Sequence, residues 1–240
     1  MNIHAAATPP DALTGLRIGG FQPFTTLDFP GRMAAVVFLQ GCPLRCVYCH
    51  NPELIPPGRS TAISWAAVRQ KLERRRGLLQ AIVFSGGEPL VQSRLPEALR
   101  QAREMGFATG LHTTGVLPGR LARLEGLLDW VGFDIKAPFG RYCSVTGVDG
   151  SGLRARESLD HLTAWGIPFE IRVTVWPDLI GSAEIIEIAD QAQSRSCRDF
   201  VLQECRDPSS GLALGGPVFS DAALLDELEA RFPGFKVRRA

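Results

Sequence analysis

The stretch Gly41-Cys42-Pro43-Leu44-Arg45-Cys46-Val47-Tyr48-Cys49 constrains this chain more than any other part of it. It sets three thiols at Cys-x-x-x-Cys-x-x-Cys spacing within eight residues. With six Cys in 240 residues, chance supplies that spacing roughly 0.004 times, so it is read as chemistry. Three soft ligands on one short loop suit an iron-sulfur cluster, and a cubane cluster needs four ligands. A set one ligand short leaves one iron open, and an open coordination position is where a metal centre reacts. Structural zinc normally takes four ligands. His50 is the candidate fourth, but as the neighbour of Cys49 it lacks the reach to close a tetrahedron with it. Cys143, Cys197 and Cys205 share no ligand spacing and read as small buried hydrophobes.

Around this loop the sequence alternates short apolar runs with helical stretches. Strands are expected at Ala34–Leu39, Ala81–Phe84, Phe107–His112, Trp130–Ile135, Phe169–Val175 and Phe200–Gln203. Helices are expected at about 65–76, 95–105, 118–128, 153–165, 182–194 and 221–231, with Ser64, Ser182 and Ser220 as N-caps. Continuous apolar strands such as Ala34–Leu39 are covered on both faces. The fold class is therefore α/β, a parallel sheet with right-handed crossovers. An open doubly wound sheet and an incomplete barrel both fit the pattern. A full eight-unit barrel takes about 250 residues, so six units suggest a partial (βα)6 barrel of parallel strands. Residues 1–18 read as a loose leader and 19–240 as a single domain, with Phe235–Arg239 as a short edge strand.

Each unit places its unusual residues at the carboxyl end of its strand, the face on which parallel α/β folds bind ligands. The cysteine loop follows the first strand and Ser85-Gly86-Gly87-Glu88-Pro89 the second. His112-Thr113-Thr114-Gly115, Asp134-Ile135-Lys136, Arg172 with Thr174, and Gln203-Glu204 follow in turn. By the two-residue strand period, His112 shares a side with Thr114, Asp134 with Lys136, and Arg172 with Thr174. Buried Asp and Lys are rare unless paired or liganding. The plain alternative is a structural ion pair at the barrel mouth. Gly86-Gly87 removes two Cβ atoms where the chain leaves its strand, permitting positive φ and close approach of a ligand. Asp28-Phe29-Pro30-Gly31 reads as a turn, expected to hold Phe29 at the cleft rim where a polypeptide could dock.

Net charge is +1, so nothing in the total favours nucleic acid or a membrane surface. No run approaches the 18 or so apolar residues of a membrane span, and Met1 to Gly20 lacks the pattern of a secretory signal. Three clustered and three isolated thiols without such a signal point to the reducing cytoplasm.

The cysteine motif, with aromatic Tyr48 before its last Cys and Gly86-Gly87-Glu88-Pro89 about forty residues on, resembles the radical S-adenosylmethionine superfamily. Gly20–Phe24, Leu27–Gly31, Cys49–Glu53, Leu111–Gly115, Trp130–Pro138 and Tyr142 with Val145-Thr146-Gly147 resemble the activating proteins of anaerobic ribonucleoside-triphosphate reductase. The likeness covers roughly residues 19–180. It implies a partial (βα)6 barrel and a [4Fe-4S] cluster held by Cys42, Cys46 and Cys49. S-adenosylmethionine would chelate the open iron through its amino and carboxylate groups. Gly86, Gly87 and Glu88 would line its methionine end through backbone contacts. Asp134 and Lys136 match the polar pair near ribose and carboxylate, and Tyr48 would sit against the adenine. His112, Thr114 and Arg172 are further cofactor-facing candidates. No general base is implied. One electron from the reduced cluster splits the sulfonium into methionine and a 5′-deoxyadenosyl radical, which takes an α-hydrogen from a glycine of a partner enzyme. A one-electron donor such as flavodoxin or ferredoxin is implied as well. Positions 50–84 contain no Cys, so the chain matches the short type without additional clusters. Two alternatives stay open: a radical enzyme acting on a small molecule or nucleobase, and an iron-sulfur electron carrier.

Overall fold

The computed structural model of the chain describes residues 13, 15–58 and 63–239. Its main strands form one eight-stranded sheet in sequential order. Strand β1 (Ile18–Thr25) runs antiparallel to β2 (Ala34–Leu39). After α1 (Trp65–Glu73), β3 (Ala81–Gly86) joins β2 in parallel. Then come α2 (Leu95–Glu104), β4 (Ala108–Thr113), α3 (Pro118–Leu121) and β5 (Trp130–Ile135). The short α4 (Cys143–Thr146) and long α5 (Ser151–Trp165) lead to β6 (Phe169–Val175). The chain closes with α6 (Ser182–Gln193), β7 (Asp199–Glu204), α7 (Ala222–Arg231) and β8 (Lys236–Arg238), every pair from β2 on being parallel. A doubly wound sheet reverses its strand order at a switch point. Here the order never reverses, and β1 and β8 end the sheet without pairing to each other among the described residues, so the sheet is a partial barrel.

Strand periodicity divides the core in two. Ile82, Phe84, Leu111, Val131, Phe133, Ile171, Val173 and Phe200 pack outward with helix residues such as Leu99, Leu159 and Ile188. The inner face carries a small separate cluster of Phe29, Ala34, Val36, Ala81, Val83 and Trp130. Further round, β5 and β6 point Asp134, Glu170 and Arg172 inward, and the buried Glu170 carboxylate is bonded twice by Arg238 of β8, at 2.8 and 3.1 Å. The interior is thus apolar on the β2–β3 side and charged on the β5–β8 side.

Several local expectations change. Leu13, Leu16 and Ile18, assigned by the sequence to the leader, are buried in the main core, while residues 1–12 and 14 lie outside the described residues. Strand β1 has no clean alternation because its pairing with β2 is interrupted by register shifts. Pro23 cannot donate, and Arg75 occupies its carbonyl at 3.1 Å, two features that blunt a sheet edge. The helix expected over 118–128 is α3 followed by a 3₁₀ turn, Ala122–Leu124. Ser64 caps α1 as expected, accepting from the Ala67 N–H at 3.1 Å. Gly181, not Ser182, precedes α6, and the Ser182 hydroxyl reaches Asp221 at 2.8 Å. Asp221, not Ser220, caps α7 by accepting from the Leu224 N–H. Phe29 does not face the rim. It is buried inside the barrel with its ring centroid 5.3 Å from that of Trp130, because the turn at Pro30-Gly31 directs it onto the small-residue floor. No helix among the described residues is long and apolar enough to cross a membrane.

Candidate active site

The cysteine loop lies over the carboxyl ends of the strands and is held largely by main-chain bonds. Gly41 and Cys42 donate to the carbonyls of Leu54 and Ile55 at 2.7 and 3.1 Å. Arg45 and Val47 donate to Thr146 and Val145 of α4 at 2.9 and 3.1 Å. This gives the phrase Tyr142 with Val145-Thr146-Gly147 a structural job: α4 is the shelf on which the loop rests. The Tyr142 hydroxyl joins that shelf to β5, accepting from the Lys136 N–H at 3.1 Å and donating to the Asp134 carbonyl at 3.3 Å.

Beneath the loop is a cavity of about 260 Å³. Cys42, Cys46 and Cys49 reach it from above, and Gly86, Gly87, Thr113 and Thr114 from the β3–β4 side. Asp134, Lys136 and Arg172 form its charged wall and His112 its floor, joined by Tyr48 and His50. Asn51, Ile55 and Ser85 also line it; the sequence marked the runs that hold Asn51 and Ser85 without giving either a site role, and did not mark Ile55. Such neutral residues at loop starts carry no periodic signal.

Glu88 does not line the cavity. It is buried behind the cavity wall, accepting from the hydroxyls of Thr113 and Thr114 at 2.7 and 2.6 Å and from the N–H groups of Thr114 and Leu90. Burial pushes its carboxyl up, and these donors oppose the push. Glu88 thus shapes the Thr113-Thr114 turn and reaches the cavity only through it.

The glycine pair is required by close packing. Gly86 has φ +121°, and a Cβ there would stand 2.3 Å from the Leu39 carbonyl oxygen. A Cβ on Gly87 would stand 2.5 Å from the Gly41 oxygen. The neighbour these glycines admit is the backbone leading into the cysteine loop, and both remain exposed to the cavity on their other side.

Asp134 and Lys136 share a side, with Nζ 3.5 Å from Oδ2. Arg172 bonds the other oxygen of Asp134 from Nε at 2.8 Å. Gly132 makes room for it, since a Cβ there would lie 2.8 Å from the guanidinium carbon. Burial alone would push the Asp134 carboxyl up, but the Arg172 and Lys136 cations outweigh it and hold it below the usual range. Burial opposes the charge of Lys136, and Asp134 more than restores it. His112 sits on the floor with Nε2 donating to the Asp28 carbonyl at 3.0 Å and its ring edge toward Trp130. Burial, aided by Arg172, drives its pKa down to about 3, so the imidazole is neutral.

Whether these residues suit a cluster can be judged from the donor set. Burial pushes the Cys42 thiol up to about 12 and raises that of Cys46 against the pull of Lys136. Thiolates there need cationic partners, which iron supplies. Among the described residues no three His, Cys, Asp or Glu converge on a single ion, and a cubane asks for no such convergence because each Cys binds its own iron. His50 borders the cavity with its Nε2 already engaged, donating to the Arg206 carbonyl at 3.0 Å. The Tyr48 hydroxyl is buried at the cavity wall without a hydrogen-bond partner, an orphan that a bound polar molecule would satisfy. One face of its ring is covered by Trp176, centroids 6.0 Å apart. The residues present fit both groups. Of the other cysteines, Cys197 and Cys205 are buried as expected, whereas Cys143 is exposed and bonds Asp149 at 3.0 Å.

The model of the Radical SAM superfamily matches residues 36–192. The chain is 28% identical over 207 residues to a protein of Methanocaldococcus jannaschii named as a glycyl-radical enzyme activating enzyme, covering 78% of this chain and 79% of that one. It is 32% identical over 180 residues to the pyruvate formate-lyase-activating enzyme of Clostridium pasteurianum, covering 71% and 73%. Among solved structures, SuiB of Streptococcus suis bound to S-adenosylmethionine superposes with a TM-score of 0.65 at 14% identity, over 83% of this chain and 48% of that one. The chain therefore spans about half the length of that protein, and the likeness speaks for the fold alone.

Proposed function

This chain belongs to the radical SAM superfamily, and we propose that it installs a glycyl radical on a partner enzyme, anaerobic ribonucleoside-triphosphate reductase. The observation that carries the reading is the meeting of Cys42, Cys46 and Cys49 with the Gly86-Gly87 turn and the Asp134–Lys136 pair around one cavity. The family's cofactors are a [4Fe-4S] cluster and S-adenosylmethionine. Bound here, they would supply one-electron reduction and hydrogen-atom abstraction, which side chains cannot perform.

In this reading each thiolate of the trio holds one iron. The peptide groups of Gly86 and Gly87 border the amino-acid end of S-adenosylmethionine, with Thr114 beside them. Lys136 and Asp134 offer a cation and an anion to its carboxylate and ribose, and the Tyr48 hydroxyl gains a partner. Arg172 and Glu88 act one step back, Arg172 by fixing Asp134 and Glu88 by fixing Thr113 and Thr114. Neutral His112 and the Phe29–Trp130 plug close the floor against water. A one-electron donor of the flavodoxin or ferredoxin class would reduce the cluster. Relatives named as activating enzymes support the glycyl-radical part of the reading, and the reductase is chosen on the phrases Gly20–Phe24, Leu27–Gly31, Cys49–Glu53, Leu111–Gly115, Trp130–Pro138 and Tyr142 with Val145-Thr146-Gly147.

The test mixes anaerobically reduced protein, S-adenosylmethionine and the cognate reductase. A glycine-centred paramagnetic resonance doublet should appear on the reductase and vanish when its target glycine is replaced by Ala. Cofactor cleavage with turnover of a small molecule, and no glycyl radical on the reductase, would overturn the proposal.

A further inference from the structure

Cys49 is flanked by two side chains that tie the cysteine loop to the far wall of the barrel. Tyr48 packs on Trp176, just past β6. His50 donates from Nε2 to the carbonyl of Arg206, just past β7, at 3.0 Å. The bonds from Gly41, Cys42, Arg45 and Val47 are made by main-chain N–H groups and involve no side chain of the loop. Among the described residues, the Arg45 guanidinium bonds carbonyls of the loop itself, those of Cys42 and Leu44. Because β1 and β8 are the two end strands of the sheet, among the described residues no strand pairing holds the β2 end against the β7 end. The His50–Arg206 contact makes that connection directly.

Its acceptor sits on a built element. Residues 205–214 form a small hairpin in which Arg206 bridges Ala213, Asp207 donates to Leu212 at 2.8 Å, and Leu214 donates to Cys205 at 2.9 Å. The Asp207 carboxylate caps the tip by accepting from the N–H groups of Ser209 and Ser210, each at 2.8 Å. The Arg206 side chain is turned to the Gly211 carbonyl and takes no part in holding His50. The Cys205 sulfur, 3.6 Å from the same Nε2, is the competing partner.

We infer that His50 is a positioning residue: it staples the cysteine loop to the β7 hairpin across the open barrel and so fixes Cys49 over the cavity. The inference rests on the proposed role of Cys49 as a cluster ligand. It assigns to His50 neither iron binding nor contact with substrate.

The full-length chain, reconstituted anaerobically as parent, His50→Ala, His50→Gln, Cys205→Ala and Cys49→Ala, tests this without turnover. Iron extraction by a ferrous chelator is followed by absorbance. His50→Ala should lose iron roughly 2- to 10-fold faster than the parent, the worth of one hydrogen bond. The Gln amide can donate to the same carbonyl, so His50→Gln should recover at least half of the difference, and Cys205→Ala should match the parent. A parental rate in His50→Ala overturns the inference, as does failure of Gln to rescue. A Cys205→Ala rate equal to that of His50→Ala also overturns it, by moving the anchor to the thiol. A parental cluster on Cys49→Ala would instead refute the ligand reading, a result visible before chelator is added.

Discussion

Arg172 reaches across from β6 to hold the Asp134 carboxylate on β5, Nε to Oδ1 at 2.8 Å, inside the barrel and one layer below the cavity mouth. The two residues are directly paired in the sheet, and Gly132 clears the space the guanidinium fills. With Lys136 on its other oxygen, Asp134 balances two cations at once. Removing it leaves both uncompensated in a mostly buried site. Asp134→Ala should therefore cost about 3–5 kcal/mol of stability, whereas Asp134→Ala combined with Arg172→Met should recover much of the loss. Urea midpoints of the cluster-free proteins measure this. Equal midpoints for parent and Asp134→Ala would show that the pair is not a structural support.

His112 makes the fold acid-sensitive. Its imidazole is held neutral to about pH 3, against an ordinary value of 6.5. Between those values the unfolded chain binds a proton that the folded chain refuses, so stability falls as pH drops through that window. Asp134 adds a loss of the same sign only below the ordinary carboxylate range, since its folded pKa is depressed. The two are thus separable by pH. His112→Gln should flatten the fall in urea midpoint between pH 7 and about pH 5. A fall as steep as the parent's would exclude His112 as its source.

The parallel order and the carboxyl-end clustering were legible because both follow from periodicity: apolar runs such as Ala34–Leu39 mark covered strands, and each is followed by its polar group. Strand β1 was not, since Pro23, two adjacent glycines and register shifts erase any period. Side-chain direction past a strand end was equally hidden. Glu88 lies beside the glycine pair in sequence yet turns behind the wall, drawn there by four donors. Arg172 was legible as a site residue, but its pairing with Asp134 depends on the register between β5 and β6, which one strand alone cannot specify.

Phe29 shows how a turn can be read correctly and its side chain misplaced. The Pro30-Gly31 turn is present, with Gly31 at φ +70°, but the ring packs against Trp130 and over Gly110. Phe29→Ala should cost about 3–5 kcal/mol, as for other buried aromatic truncations. Calorimetry or thermal melts would measure it. Leu27, 79% exposed on the same turn, should tolerate Ala with a change within about 0.5 kcal/mol. Equal losses at the two positions would contradict the plug.

If the trio alone holds the cluster, Cys42→Ala, Cys46→Ala and Cys49→Ala should each abolish normal iron and sulfide loading. Cys143→Ala, Cys197→Ala and Cys205→Ala should leave it unchanged. Loss of loading on replacing Cys205, the thiol beside His50, would place a fourth protein ligand where the open iron is proposed.

The glycine pair separates folding from cluster binding. At Gly86 a Cβ meets both the oxygen and the nitrogen of Leu39, at 2.3 and 2.4 Å, and φ is +121°. These are backbone atoms that cannot rotate away, so the β2–β3 pairing must open. Gly86→Ala should lose about 4 kcal/mol or more, at the extreme of single substitutions. At Gly87 φ is not in the left-handed range and the collision is with Gly41, the residue before Cys42. The strain there passes into the cysteine loop rather than the sheet. Gly87→Ala should thus stay folded, with a melting temperature closer to the parent's than Gly86→Ala, while binding less iron after anaerobic reconstitution. Parental iron content in folded Gly87→Ala would show that the loop relaxes freely and that the glycine pair does not set the position of Cys42.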